Sequence, residues 1–379
     1  MARILLSAGS RRMETQVRIQ SYQMTKPGAP IERVEQVYAT SALGDGEVLV
    51  KVAGCGVCHT DLGFYYGGVR TGHALPLTLG HEISGVVVAA GAQQQALIGK
   101  SVIVPAVIPC GACELCKAGR GSICRRQIFP GSDVHGGFAS HVVVPGRGLC
   151  PVDEQALSAS GLSLAELSVI ADAVSTPYQA VVRSGLSRGD VAMFIGVGGV
   201  GGFGVQIAAA LGAHVIAIDV DESKLALIEK HGASHTISSK DKDPQAVRKA
   251  VSEHVKAKGL SPLAWKIFET SGHPRGQETA FALLTFGAHL SVVGYTLEKV
   301  TVRLSNLMAF DATAQGNWGC LPEHYPAALA LVLAGKVALR PFIEARPMSQ
   351  INETFADLHE GRSKKRPVLL PGDDPGAQS

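Results

Sequence analysis

The stretch GCGVCHTDLG at residues 54–63 sets Cys55, Cys58, His59, Thr60 and Asp61 on one short loop. Thiolate and imidazole are zinc ligands, and a zinc ion takes three or four of them, more than such a loop supplies alone. A second segment must complete the set. LTLGHEISG offers His81 and Glu82 a little further on, behind Gly80 and between apolar, strand-like runs. A histidine by itself is more often a core or surface residue than a ligand, but beside a cysteine-bearing loop it becomes a candidate. One cysteine, one distant histidine and one further protein ligand, with water in fourth place, is how catalytic zinc is held.

A second metal pattern stands in CGACELCKAGRGSIC, where Cys110, Cys113, Cys116 and Cys124 follow the spacing C-x2-C-x2-C-x7-C. Nothing in the sequence reads as an export signal, so this cysteine density points to metal rather than to disulfides. Four thiolates close a tetrahedral zinc site and leave no open position. The ion's role is then structural, pinning a lobe without a core of its own. An iron–sulfur cluster is the alternative, although the spacing differs from the ferredoxin runs.

A third chemistry lies in DVAMFIGVGGVGGFGVQIAAALGAHVIAID. An apolar β-run leads into Gly196-x-Gly198-x-x-Gly201, an Ala-rich helical stretch follows, and a second β-run closes on Asp219. GxGxxG alone is weak, but with strand, helix and acidic residue in this order it is a dinucleotide fingerprint. Glycines let the backbone approach a pyrophosphate, the helix N-terminus offers free N–H groups, and the acidic side chain accepts from the adenosine ribose. An acidic group there repels a 2′-phosphate, which favours NAD over NADP. The same reading turns the apolar residues 191–218 into strand, turn and buried helix, not a membrane span.

These sites require elements to carry them. A chain of 379 residues, 46% hydrophobic and 18% charged, has the length for two domains and the composition of a large buried core. The formal charge of +3 is dispersed, without the basic patch that nucleic-acid binding needs, so no nucleic-acid partner is expected. No membrane partner is expected either. The apolar run Ile4–Leu6 in MARILLSAGSRR is too short for a secretory core; Met13 follows at once, and residues 1–12 read as the product of an early start codon. PGDDPGAQS reads as a disordered end. From about residue 186, apolar runs alternate with helix-like segments, as in a parallel sheet with crossover helices.

Zinc motifs followed by a nicotinamide-binding half resemble the zinc-dependent medium-chain alcohol dehydrogenases, and the resemblance covers nearly the whole chain. GVCHTD corresponds to the family's catalytic-zinc loop, GHE to its second ligand site, CGACELC…C to its structural-zinc lobe and GGFASHVVVP to the strand after it. GVGGVG, with Gly196, Gly198, Gly199, Val200 and Gly201, corresponds with Asp219 to its cofactor turn. The resemblance implies that Cys58 rather than Cys55 is a ligand, that His59 meets the pyrophosphate, that Thr60 starts the proton relay and that Asp61 supports a ligand. It places Lys224 near the adenosine ribose and leaves Cys55, Cys150 and Cys320 as small buried residues. The implied fold is α/β: a GroES-like β-rich catalytic domain over 1–171, a doubly wound parallel-sheet (Rossmann) NAD domain over 172–314, and a return to the catalytic domain over 315–379. Two zinc ions and one NAD per chain, a cytoplasmic setting and a homodimer or homotetramer are implied with it.

Two positions depart from the family. Many relatives carry a relay histidine where this chain has Gly63, and a zinc-binding cysteine where IADAVSTPYQAV has Asp172. Ser175 and Thr176, just before Pro177, read as the cap of the following helix, which frees Asp172 for the metal. With the wording of IVPAVIPCGACELCKAGRGSIC and GNWGCLPEHYPAALALVLAGKV, Asp172 is similar to the 6-hydroxycyclohex-1-ene-1-carbonyl-CoA dehydrogenase branch of anaerobic aromatic degradation. That branch implies a cyclic hydroxyacyl-CoA substrate, zinc on Cys58, His81 and Asp172, and Glu82 behind them or as a transient ligand. Arg70 and Arg147 are the cations considered for the CoA phosphates. The other readings are a zinc dehydrogenase of simple alcohols or polyols and a non-catalytic zinc scaffold.

Overall fold

The computed structural model describes residues 15–372; the prefix 1–12 and most of the tail lie outside the described residues. The apolar runs of the second half form a six-stranded sheet from Val191–Ile195, His214–Asp219, His235–Ser238, Lys266–Glu269, His289–Val292 and Thr313–Gly316. Its spatial order is third, second, first, fourth, fifth, sixth, and all pairings are parallel. Val191–Ile195 is buried along its whole length, as expected of a strand covered on both faces. The order reverses at this strand, which opens a crevice at the carboxyl ends of the strands, where doubly wound sheets bind ligands.

The helices show why they form. Pro244–Ala257 starts on an Asp243 side chain that accepts from Ala246 N, has Pro244 in its first turn, and buries Val247, Val251 and Val255 on one stripe. Gly201–Ala210, the helix after the glycine turn, is only 10 residues long and almost wholly buried. Among the described residues no single helix is long and apolar enough to cross a membrane.

The N-terminal half is β-rich. Glu47–Gly56 is the hub of a seven-stranded sheet, pairing with Glu82–Ala90, His141–Pro145 and Arg366–Leu370. The last of these, with Ile343–Pro347 beside it, comes from the C-terminal end of the chain, so the polypeptide returns to its first sheet. The segment holding Cys110 to Cys124 has only the short turns Glu114–Lys117 and Gly121–Ile123, which bury no apolar side chain. This lobe has no core to hold it together.

Candidate active site and metal centres

Cys58 caps the short helix His59–Tyr65. Its backbone N–H donates to Asp61 Oδ2 at 2.9 Å, and Asp61 Oδ1 accepts from Gly80 N at 3.2 Å. Asp61 is fully buried and fastens the two ligand loops to each other. Gly80 has φ +95, and a Cβ there would lie 2.8 Å from both Cys55 Sγ and Phe138 Cδ1, so only glycine delivers the next residue, His81, into the site. Asp61 Oδ1 stands 3.3 Å from His81 Nδ1, close enough for charge attraction though outside hydrogen-bond geometry.

The third corner comes from a turn packed on the strands Glu47–Gly56 and Glu82–Ala90. Asp172 ends the 3-10 turn Ala165–Ala171; its backbone carbonyl accepts from Thr176 N at 2.8 Å, and its Oδ1 accepts from the Thr176 hydroxyl at 2.5 Å. The expected cap is therefore corrected. Ser175 and Thr176 lie inside the helix Ser175–Arg183, its N-cap Val174 has no side-chain bond, and Thr176 instead orients the Asp172 carboxylate. Asp172 Oδ2 lies 3.5 Å from Cys58 Sγ and 3.6 Å from His81 Nε2. Tetrahedral zinc with ordinary bond lengths separates S and O by about 3.6 Å and N and O by about 3.4 Å. Ligand atoms of Cys58, His81, Glu82 and Asp172 all fall within 4.8 Å of one another. These residues fit a zinc ion.

Electrostatics agree with the geometry. Burial opposes charge on both His81 and Asp172. The carboxylates of Asp61 and Asp172 nevertheless hold His81 well above its ordinary value, and His81, Arg366 and Thr176 hold Asp172 well below its own. The cluster favours positive charge at its centre. Burial pushes Glu82 up to about 7 against the pull of Arg366, whose Nη1 donates to Glu82 Oε1. Glu82 Oε2 is buried beside Gly56 and has no partner, which leaves one carboxylate oxygen unspent. Thr60 Oγ1 is 3.7 Å from Cys58 Sγ, next to the same centre. Gly63 opens on a cavity of about 300 Å³ lined also by His59, Tyr66 and His359.

The four remaining ligand-type cysteines converge as their spacing requires. Cys113 and Cys116 Sγ are 3.4 Å apart, Cys113 and Cys124 3.6 Å, and Cys110 and Cys116 3.9 Å, against about 3.8 Å between thiolates on one tetrahedral zinc. The thiols share protons unequally. Backbone N–H groups of Ala112 and Cys113 bring Cys110 down to about 6, while burial and the neighbouring thiols push Cys116 up to about 12. Cys55 is buried beside Gly80, and Cys150 and Cys320 are buried outside both ligand clusters.

At the glycine turn, Gly196 has φ +85 and a Cβ there would meet Ser271 Cα at 2.6 Å, while one at Gly201 would lie 1.9 Å from Gly196 O. Gly198 faces open space, with Lys224 Nζ 4.0 Å from its would-be Cβ, and Gly199 and Val200 complete the turn. This is a cradle into which a pyrophosphate fits. Asp219 Oδ2 accepts from Val197 N at 2.8 Å and Oδ1 from Asp221 N at 2.9 Å, which fixes a carboxylate that still has acceptor capacity. His59 is exposed at the rim of the cleft. Partial burial, then Arg366 and Lys224, lower its pKa and favour the neutral imidazole, with two cationic side chains nearby.

Sequence reading missed Arg366 and gave Thr176 the role of a helix cap. The signal for Arg366 was there, since RPVLL sets one arginine at the head of a buried apolar strand. Arg147 Nε donates to Pro109 O at 2.9 Å, and Arg147 and Arg70 are both exposed.

Comparison with known proteins decides the family. Residues 44–154 match the alcohol dehydrogenase GroES-like domain and residues 199–334 the zinc-binding dehydrogenase family. An alcohol dehydrogenase of Geobacillus stearothermophilus is 30% identical over 86% of this chain and 92% of its own length. The chain belongs to the zinc-dependent alcohol dehydrogenases. Among solved structures, the alcohol dehydrogenase of the hyperthermophilic archaeon Aeropyrum pernix superposes with a TM-score of 0.79 at 27% identity, covering 93% of this chain and 100% of that one. Galactitol-1-phosphate dehydrogenase from Escherichia coli gives 0.79 at 25% identity, over 93% and 100%. The alcohol dehydrogenase is thus an α/β enzyme, GroES-like and Rossmann in its two parts, that uses zinc and NAD to oxidise a small-molecule alcohol.

Proposed function

We propose that the enzyme oxidises a secondary alcohol on a ring carried as a CoA ester, 6-hydroxycyclohex-1-ene-1-carbonyl-CoA, to 6-oxocyclohex-1-ene-1-carbonyl-CoA. The observation that carries this reading is the Asp172 carboxylate, seated with Cys58 and His81 at zinc-ligand separations. A carboxylate is a harder donor than a thiolate and leaves the metal more electrophilic. Zinc, when bound, supplies a Lewis acid for the alcohol oxygen, and NAD accepts the hydride. Cys58, His81 and Asp172 would hold the ion, Thr60 would accept the hydroxyl proton while passing its own on to the cofactor ribose and so to water, and Thr176 and Asp61 keep the ligands in place. Glu82 stands by with its unpartnered oxygen as a transient ligand. His59, Lys224, Arg366 and the glycine turn receive the dinucleotide, and Asp219 selects NAD.

The domain division at 171/172 and 314/315 belongs to this proposal. So does a homo-oligomer: the last strand of the parallel sheet, Thr313–Gly316, has a free edge, and the preceding segment exposes Leu297 and Met308. Free cysteines throughout suit a reducing cytoplasm.

A dehydrogenase of simple alcohols or polyols is the second reading, favoured by the likeness to galactitol-1-phosphate dehydrogenase. NADH formation with the cyclic hydroxyacyl-CoA, its free acid, ethanol and galactitol 1-phosphate separates the readings. Preference for the CoA ester supports the proposal. Preference for ethanol or the polyol phosphate overturns it, and no turnover with any of them points to a scaffold.

A further inference from the structure

Asp172 leaves the 3-10 turn Ala165–Ala171 with φ −138 and ψ −60, outside both the helical and the extended regions, so neither a helix nor a strand aims its side chain. The turn is fastened at each end instead. At its start, Ser84 Oγ donates to Leu164 O at 2.7 Å, and a Cβ on Gly54 would lie 2.8 Å from Ala165 O. At its end, the hydroxyl of Tyr325 donates to Ala171 O at 2.5 Å and accepts from Ala106 N at 3.2 Å. Ser175 Oγ is a second donor to Ala171 O, at 3.2 Å. Tyr325 opens the helix Tyr325–Leu333 of the returning C-terminal segment and is fully buried. Ala106 lies two residues past the strand Ser101–Val104, which pairs with Glu82–Ala90, the strand that follows His81. One hydroxyl thus ties the peptide before Asp172 to the sheet that carries His81.

We infer that Tyr325 is a positioning residue for the third zinc ligand: its hydroxyl holds the Ala171 carbonyl and, through that peptide, keeps the Asp172 carboxylate beside Cys58 and His81. The Ala171 carbonyl and the Asp172 N–H belong to one rigid peptide plane, so a donor that fixes the carbonyl fixes the plane from which the Asp172 Cα and side chain depart. Thr176 then sets the direction of the carboxylate itself. The two hydroxyls divide the task, Tyr325 at the base of the side chain and Thr176 at its tip.

The surroundings keep the phenol a donor. Burial, then Cys320, raise it well above its ordinary value against the hydrogen bonds of Ser175 and Ala106, and the Asp172 charge adds to the rise. The ring has a separate job. It lies in the core cluster that also holds Ala171 and Val174, so phenylalanine at this position removes the hydroxyl and keeps the packing.

This role rests on Asp172 being a zinc ligand, and the test separates the two. Zinc per chain is counted after dialysis against buffers of graded free zinc for the parent, Tyr325→Phe, Tyr325→Leu and Asp172→Ala, with thermal melts and the visible absorption of the cobalt-loaded proteins beside it. Loss of a group that orients a metal ligand typically costs about 10–100-fold in affinity. Both Tyr325 variants should therefore half-empty the catalytic site at a free zinc concentration about 10–100-fold higher than the parent does, keep the structural zinc as the parent does, and show a shifted cobalt spectrum. Parental zinc affinity and cobalt spectrum in Tyr325→Phe, beside an Asp172→Ala that has lost one zinc, overturn the positioning role and leave the ligand standing. A lower melting temperature without weaker zinc binding overturns it as well, because it marks a bond that serves the fold alone. An Asp172→Ala that retains both zinc ions overturns the role and the ligand reading together.

Discussion

Replacing Gly198 and Gly201 by alanine, one at a time, separates cofactor binding from folding. A methyl at Gly198 meets no protein atom nearer than Lys224 Nζ at 4.0 Å, and the backbone there is outside the left-handed region. Gly198→Ala should therefore leave stability unchanged or raise it by about 0.4–1 kcal/mol through the unfolded chain. The open space is what the pyrophosphate needs. Overpacking against it costs about 1–3 kcal/mol, roughly 5- to 150-fold in NADH affinity. A methyl at Gly201 lies 1.9 Å from Gly196 O and 2.5 Å from Thr270 Oγ1, far inside the 3.0 Å that real Cβ contacts do not cross. Gly196 cannot yield, because a Cβ's breadth away it is pressed against Ser271, and Thr270 Oγ1 already donates to Gly196 O. Gly201→Ala should thus cost about 3 kcal/mol or more, at about 2–4 °C of melting temperature per kcal/mol. Fluorescence titration with NADH and a thermal melt read the two effects. NADH binding to Gly198→Ala at parental affinity, or an unchanged melt for Gly201→Ala, would refute the reasoning.

Other expectations follow from the same geometry. The parent should prefer NAD over NADP by the ~1–3 kcal/mol of an unmatched buried polar group, and Asp219→Gly should narrow that gap; equal kcat/KM for both cofactors in the parent would show that Asp219 does not face the ribose. Cys116→Ala should remove one zinc per chain and lower the melting temperature while the other zinc stays, because the lobe has no apolar core; an unchanged zinc count would contradict the four-thiolate site. Zinc uptake by the stripped lobe should weaken as pH falls. Ligands bind as thiolates, and with Cys110 at about 6 and Cys116 at about 12 acid returns protons that the ion must displace, so competition titrations at pH 6 and 8 should differ, and identical affinities would count against it.

Local patterns carried most of the site. Cys110, Cys113, Cys116 and Cys124 lie close together in sequence, so chain connectivity alone brings them near one centre, and the turn from Gly196 to Gly201 is likewise a property of one strand–helix unit. Contacts over long separations were legible only through resemblance. Asp172 stands 114 residues from Cys58, and nothing in its neighbourhood announces a ligand. Its orientation depends on Thr176, which the local sequence suggested as a cap. The chain enters that helix through Val174 in helical conformation, so no side chain sits where a cap would bond, and the threonine hydroxyl turns back to Asp172. Arg366 is 284 residues from the Glu82 it pairs with, and only the returning C-terminal strand brings them together. Burial of that pair is a tertiary fact, which single-sequence patterns do not encode.

The claim at the centre is that Asp172 completes the catalytic zinc site with Cys58 and His81, and zinc content of Asp172→Ala tests it most directly. The parent should hold two zinc ions per chain. The variant should hold one, lose turnover, and still bind NADH at parental affinity, since the glycine turn and Asp219 are untouched. A variant that keeps two zinc ions and near-parental turnover would contradict the account, and the unpartnered oxygen of Glu82 would then be the third ligand to examine.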